Sequence, residues 1–318
     1  MTGAGGFIGS HLAERLVELD ARTRAFVHYN AHGSCGWLDG SVYRSDMEVI
    51  AGDITDRDTV RDAMRGVDVV FHLAALIAIP YSYRAPASYV RTNVEGTLHI
   101  VQAARELGVA RVVHTSTSEV YGTARYVPID EQHPLQGQSP YSASKIGADK
   151  IAEAFHFSFQ VPIVTVRPFN TFGPRQSARA VLPTIITQCL AGDTVRLGRV
   201  TPTRDWSYVG NTVDGFLAAG EEPGAIGRTI NLGSGQEISV GAAAELIAAR
   251  IGRTIRVEQD DDRVRPADSE VDRLLADTTL ARSLLGWSPR IGFERGIDLT
   301  IEWIQANLDR YRPGVYIL

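Results

Sequence analysis

The run "SPYSASKIGADKIAEAF" sets Tyr141 and Lys145 four residues apart, a spacing that brings both side chains to one face of a helix. A phenol, with an ordinary pKa of about 10, is a poor base at neutral pH. A neighbouring ammonium favours the phenolate, so Lys145 can make Tyr141 fit to accept a proton from an alcohol. One element earlier, "HTSTSEVYG" offers Thr117 at a strand end, where its hydroxyl can bond the same alcohol. Ser118 follows, and then Glu119, a carboxylate able to remove a proton from a carbon made acidic by an adjacent ketone. Each motif has a plainer reading. A Tyr-x-x-x-Lys spacing alone is usually a solvated helix face, and Glu119 could be a partly buried carboxylate satisfied by backbone donors. Their occurrence in consecutive elements favours chemistry.

The chain opens "MTGAGGFIGSHLAERL", where Gly3, Gly6 and Gly9 recur every three residues, with Gly5 between them, and lead into a helix. A pyrophosphate must approach backbone N–H groups at the positive end of a helix, and side chains there would hold it away. The reading is a dinucleotide site, against an ordinary glycine-rich turn. An acid at the end of the second strand would bond the ribose hydroxyls and select NAD over NADP. Here "AFVHYNAHGS" has His28, Tyr29 and Asn30 instead, which leaves that choice open. Asp53 in "AGDITD" is placed to meet an adenine edge, or is a turn residue at a strand end.

These residues need a scaffold, and the sequence supplies one. As far as about residue 168, short apolar runs ("TRAFVHY", "MEVIAGD", "DVVFHLAA", "RVVHTSTS", "PIVTVRP") alternate with helical segments such as "SHLAERLVELD" and "RDTVRDAMRG". Near-continuous β-branched runs between helices mark parallel strands covered on both faces. The fold class is α/β, a Rossmann-type doubly wound parallel sheet with a smaller C-terminal substrate-binding lobe. Residues 1–168 are expected to form the NAD(P)-binding domain and residues 169–318 the lobe, with 229–235 ("TINLGSG") returning to the main sheet.

Composition narrows the function classes. A net charge of -5, with 32 scattered Lys and Arg residues, leaves no basic footprint for nucleic acid. Two cysteines, Cys35 and Cys189, allow no disulfide framework, and no His/Cys spacing resembles a metal site. No apolar run reaches the length of a membrane span, and no leader pattern opens the chain. A cytoplasmic protein is expected.

Taken together, GxxGxxG, "STSEVYG", YxxxK and "RPFNTFGPR" resemble the extended short-chain dehydrogenase/reductase family, in its nucleotide-sugar 4,6-dehydratase, epimerase and decarboxylase branch. The resemblance covers essentially the whole chain. It implies a tightly held NAD(P) that oxidises the sugar at C4 and is regenerated within the turnover. Tyr141 would take the C4 hydroxyl proton, Lys145 would bind the nicotinamide ribose and Thr117 would orient the hydroxyl. Phe7, Ile8, Ile54, Leu73, Ala74, Ala75 and Pro168 would join the glycines, Tyr29, Asn30 and Asp53 around the cofactor. Asn170, Arg175, Arg204 and Arg265 would hold the nucleotide sugar, guanidinium groups being suited to a diphosphate because each bonds two oxygens.

Within the branch, Glu119 points to dehydration: it would remove the C5 proton while the C6 hydroxyl leaves as water. Simple 4-epimerases of the family have a small or uncharged residue there. Glucose 4,6-dehydratases carry Asp where this chain has Ser118, so the acid for the leaving hydroxyl is open, with Glu119 itself a candidate. Thr-Ser-Glu is shared with mannose-type dehydratases and glucuronate decarboxylases. "VHYNAHGSCGWLD", "HLAALIAIPYSY", "FNTFGPRQSARAVLPTIITQ" and "RVRPADSEVDRLLAD" look most like dehydratases of the legionaminic-acid pathway, which act on a nucleotide-linked N-acetylglucosamine. A non-catalytic NAD(P)-binding regulator is the rival from another class, although such proteins tend to lose the Tyr or Lys. A homodimer through helices 84–108 and 141–158 is also implied. Only Met1 and Thr2 precede Gly3, so a central first strand is largely missing, and the natural chain is expected to start earlier.

Overall fold

The structure, a computed structural model, describes residues 1–311; positions 312–318 of the expected lobe lie outside the described residues. The first half runs α1 (Phe7–Glu18), β1 (Thr23–His28), β2 (Met47–Gly52), α2 (Arg57–Ala63), β3 (Val69–His72), α3 (Ile79–Arg84), α4 (Pro86–Tyr89), α5 (Gly96–Leu107) and β4 (Arg111–Thr115). Then come α6 (Pro140–Phe159), β5 (Ile163–Pro168), β6 (Asn170–Phe172), α7 (Val181–Ala191), β7 (Thr194–Leu197), β8 (Thr203–Tyr208) and α8 (Val209–Glu221). The remainder is β9 (Thr229–Leu232), β10 (Glu237–Ser239), α9 (Val240–Ile251), β11 (Arg256–Gln259), α10 (Thr279–Leu285) and α11 (Phe293–Ala306).

Strands β3, β4, β5 and β9 form one parallel sheet in that order, and β1 pairs with β2, also in parallel. The slot between β1 and β3 is filled by Met1 and Thr2. Thr2 N–H donates to the Phe71 carbonyl at 2.9 Å, Phe26 N–H to Met1 at 2.8 Å and Leu73 N–H to Thr2 at 3.3 Å. Two residues thus join β1 and β3 at the carboxyl ends of the strands, where the glycine turn begins. β9 lies against β5 with Arg167 opposite Asn231, inside the stretch expected to return to the sheet.

The two faces of this sheet differ, and the difference positions the site. Toward α8 the strands present Phe71, Val113, Val164, Val166, Ile230 and Leu232, an apolar core. Toward α5 and α6 they begin apolar, with Val70, Val112 and Ile163. Two and four residues further along, the alternation of a strand brings His72, His114, Ser116 and Arg167 to that same face, all buried. Buried polar groups must be bonded to one another, so the carboxyl ends of the sheet carry a built polar layer beneath α6.

The segment 84–108, read as one helix, is divided. Pro86 cannot continue the hydrogen-bond ladder and keeps Ala85 out of helical geometry (φ -131°, ψ 52°). Val90–Glu95 then form a π-helical turn before α5. The wide turn lets Asn93 point inward, where it bonds both backbone groups of Leu76 and the Ser144 hydroxyl on α6.

Beyond β5 the chain builds a second core. It includes Phe172, Leu182, Ile185, Trp206, Ile247, Phe293 and Ile297 from β6, α7, β8, α9 and α11. β8 lies between β6 and β10, and β7 pairs with β11. Among the described residues no helix is long and apolar enough to cross a membrane, and no cluster of three His, Cys, Asp or Glu could hold a metal ion.

Candidate active site

The glycine turn is a cradle closed by backbone. Gly3 adopts φ +70°, which favours glycine, and an added Cβ would stand 2.8 Å from the Ala74 nitrogen. A Cβ on Gly9 would stand 2.0 Å from the Gly3 carbonyl oxygen. Gly6 caps α1 without any side-chain bond, leaving the N–H groups of the first helical turn, at Phe7 and Ile8, for a ligand. This is the shape a pyrophosphate requires. Gly9→Ala is expected to weaken NAD binding about 5- to 150-fold in a fluorescence titration, through an overpacking cost of roughly 1–3 kcal/mol. Gly40→Ala, whose methyl meets nothing within 4 Å, should leave affinity unchanged in the same fluorescence titration.

Other residues assigned to the cofactor surround the turn unevenly. Leu73, Ala74 and Ala75 follow β3 directly, with Ala74 N–H donating to the Thr2 hydroxyl at 3.1 Å. Tyr29 is 68% exposed at the end of β1. Asn30 is occupied in its own loop, accepting from the His32 and Ser34 N–H groups. Asp53 caps a turn by accepting from Thr55 N–H at 2.8 Å, while Ile54 is buried under Gly96. Pro168 ends β5, buried opposite Leu232.

Tyr141 and Lys145 share the inner face of α6, both buried. The helix is started there by a Ser139–Ser142 capping box with Pro140 at its first position. Tyr141 packs edge-on against Tyr89, with ring centroids 6.2 Å apart. Burial pushes its hydroxyl above the usual phenol range, a hydrogen bond with Thr117 lowers it, and the charge of Glu119 raises it again. Lys145 Nζ donates to the Thr115 carbonyl at 2.5 Å, and burial lowers the ammonium to about 8, with Asp149 opposing. Thr117 caps a short 3-10 turn over Ser118–Tyr121, its hydroxyl accepting from Glu119 N–H at 3.3 Å. Ser118 is buried and Glu119 half-buried. The structure therefore brings Thr117, Glu119 and Tyr141 together, with Lys145 one helical turn beyond Tyr141 on the same face and anchored to Thr115.

The charge of Glu119 also acts on Arg204. Arg204 is buried on β8, with Nη2 3.3 Å from Glu270 Oε1, and Arg265 Nη1 reaches the same oxygen at 3.5 Å. Two guanidinium groups thus converge on one carboxylate beside Glu119. Asn170 opens β6 with a buried Oδ1 that has no partner, consistent with a ligand there. Arg175 is not part of this cluster. With φ +70° it turns back toward α1 and pairs with Glu14 at 2.9 Å, beside His11, which bonds the Pro174 carbonyl. The opposite charge on α1 has claimed it.

Sequence reasoning missed Glu270, Asp149, His114 and Arg167. Asp149 follows Lys145 by one helical turn, a signal that was present. The others meet their partners only through long-range packing.

A parallel dinucleotide-type sheet whose glycine turn stands with a Tyr-Lys pair and a Thr-Ser-Glu strand end defines an extended short-chain dehydrogenase/reductase. The profile of the GDP-mannose 4,6 dehydratase family matches residues 1–300, and the chain belongs to that family. It is 33% identical to the UDP-glucose 4-epimerase of Mycolicibacterium smegmatis, over 96% of this chain and 97% of that one. It is also 33% identical to a dTDP-glucose 4,6-dehydratase of Streptomyces griseus, over 99% and 96%. The solved structure of the dTDP-glucose 4,6-dehydratase DesIV from Streptomyces venezuelae, with NAD and TYD bound, is similar with a TM-score of 0.88 at 28% identity, covering 97% of each chain.

Proposed function

We propose that the chain is an NAD-dependent nucleotide-sugar 4,6-dehydratase that forms a 4-keto-6-deoxy sugar, with UDP-N-acetylglucosamine or a related NDP-hexose as substrate. The observation that carries this reading is the place of Glu119, half-buried on the turn that Thr117 caps, where its charge is felt by both the Tyr141 hydroxyl and Arg204. In this reading a carboxylate near both the group that would oxidise the sugar and the group that would hold its diphosphate serves as the base.

Bound at the glycine turn, NAD would supply the acceptor for the C4 hydride and return that hydride at C6. Tyr141 accepts the C4 hydroxyl proton while Thr117 orients the hydroxyl. The Lys145 ammonium favours the ionised phenol, since an adjacent cation stabilises an anion. Once C4 is a ketone, Glu119 takes the C5 proton and passes it to the C6 hydroxyl, which leaves as water with Ser118 beside it. As hydride returns to C6, C5 takes a proton from solvent, and the proton held by Tyr141 is released. Arg204, Arg265 and Asn170 hold the nucleotide diphosphate. Arg175 is placed one step back, fixing the lobe to α1 through Glu14.

The identity to a UDP-glucose 4-epimerase supports a second reading, in which the keto-sugar turns over and takes hydride back at C4. A glucuronate decarboxylase is the remaining alternative. UDP-N-acetylglucosamine, UDP-glucose, GDP-mannose and UDP-glucuronate, each incubated with the purified protein, separate the three by product mass. Loss of water is the expected outcome. Loss of carbon dioxide, or an isomer of unchanged mass, would replace the dehydratase reading. We further propose that the protein is cytoplasmic and forms a homodimer through segments 84–108 and 141–158, in which α5 and α6 pack together.

A further inference from the structure

The polar layer beneath α6 converges on Asp149, one turn beyond Lys145 and two beyond Tyr141 on the same helix. Asp149 is buried, and Oδ1 accepts from His114 Nε2 at 3.0 Å. Oδ2 accepts from the Ser116 hydroxyl at 2.6 Å and Arg167 Nη2 at 3.1 Å. Arg167 gives Nη1 to the Tyr121 hydroxyl at 3.0 Å, and that hydroxyl donates to Asn231 at 2.8 Å. The Nδ1 of His114 is buried without a partner, which suits a neutral ring carrying its hydrogen on Nε2. A charged ring would bury an N–H with no acceptor. The anion of the cluster is therefore Asp149.

We propose that Asp149 is a positioning residue for the reaction: clamped by His114, Ser116 and Arg167, it fixes the turn of α6 that presents Lys145 and supplies the negative charge that keeps Lys145 an ammonium. This rests on the role given above to Lys145. The ionisable groups around the pair are Tyr141 on α6, His72 on β3, His114 on β4 and Arg167 on β5, with Glu119 and Tyr89 beyond Tyr141 and Tyr121 against Arg167. His72, stacked on His114 at 5.8 Å, is held well below its usual range by burial and is neutral. The charges of Glu119 and Asp149 both act on Tyr141, and Asp149 is the carboxylate that opposes the burial of Lys145. Burial raises Asp149 itself, but His114, Arg167 and Lys145 outweigh that and hold it at about 2.

The sequence makes this directly measurable, because Lys145 and Lys150 are its two lysines. Lys150 is exposed and paired with Glu153, so it serves as an internal reference. In full-length protein labelled with carbon-13 lysine, the Lys145 side-chain signal is followed against pH in the wild type, Asp149→Asn, Asp149→Glu, and the double variant Asp149→Asn with Arg167→Met. The double variant matters because Arg167 without a counter-ion endangers folding. The Lys145 midpoint should drop by about 1–2 pH units when the carboxylate is lost, in the single and the double variant, and recover with Glu. The alkaline limb of kcat/KM should move to lower pH with it. An unmoved midpoint in a double variant that melts cooperatively and binds NAD overturns the proposal. A shifted midpoint in a protein that turns over no sugar nucleotide upholds the coupling and sinks the dehydratase reading instead.

Discussion

Replacing Tyr141 with Phe should lower turnover on the sugar nucleotide by about 10²–10⁴-fold, the usual contribution of a positioned acid or base. The ring is retained, so its edge-on packing against Tyr89 and its place in the core beside Ile79 are kept. The substitution removes one buried hydroxyl and the hydrogen bond with Thr117. NAD affinity should therefore stay within about twofold, and the melting temperature should hardly move, a surplus buried hydroxyl contributing little net stability. Stopped assays for product, fluorescence titration with NAD and a thermal melt check the three parts. Turnover close to that of the wild type would show that Tyr141 is not the base. A regulator would keep its function in this variant.

The second large effect belongs to Glu119→Gln. The amide keeps the size of the side chain and removes the charge and the basic oxygen. Loss of water should fall by about 10²–10⁴-fold, while oxidation at C4 continues. Substrate mixed with this variant should give an early rise in the near-ultraviolet absorbance of reduced cofactor, with a keto-sugar that retains its C6 hydroxyl. Tyr141 loses one of the two carboxylates that oppose its ionisation, Asp149 being the other, so oxidation should not become slower. Water loss at the rate of the wild type would assign the C5 proton to another group.

The parts of the site that could be read in the sequence are those fixed by local spacing. The glycine interval, the four-residue step from Tyr141 to Lys145 and the strand-end Thr117-Ser118-Glu119 each lie within one turn or helix, so periodicity alone sets their geometry. The β-branched runs likewise give the strands of the main sheet, because a strand covered on both faces must be apolar nearly throughout. What stayed hidden depends on register. Arg167 reaches Asp149 only because β5 lies beside β4 with Thr165 opposite His114, which sets Arg167 level with Ser116. Glu270 meets Arg204 across 66 residues, and Arg175 is drawn to Glu14 across 161. A guanidinium reads the same in sequence whether it awaits a diphosphate or has already found a carboxylate. The break in segment 84–108 was carried by Pro86, whereas the π turn after it depends on Asn93 finding partners at Leu76 and Ser144.

The most direct test of the central claim, that a ketone made beside Tyr141 is used by Glu119, is a single turnover of the wild-type enzyme in deuterium oxide. The sugar nucleotide that reacts in the four-substrate assay is used, and the product is read by mass and proton NMR before slow exchange sets in. The expected product is lighter by one water and carries solvent deuterium at C5. A product of unchanged mass that keeps its original hydrogen at C5 would show that Glu119 makes no use of the ketone.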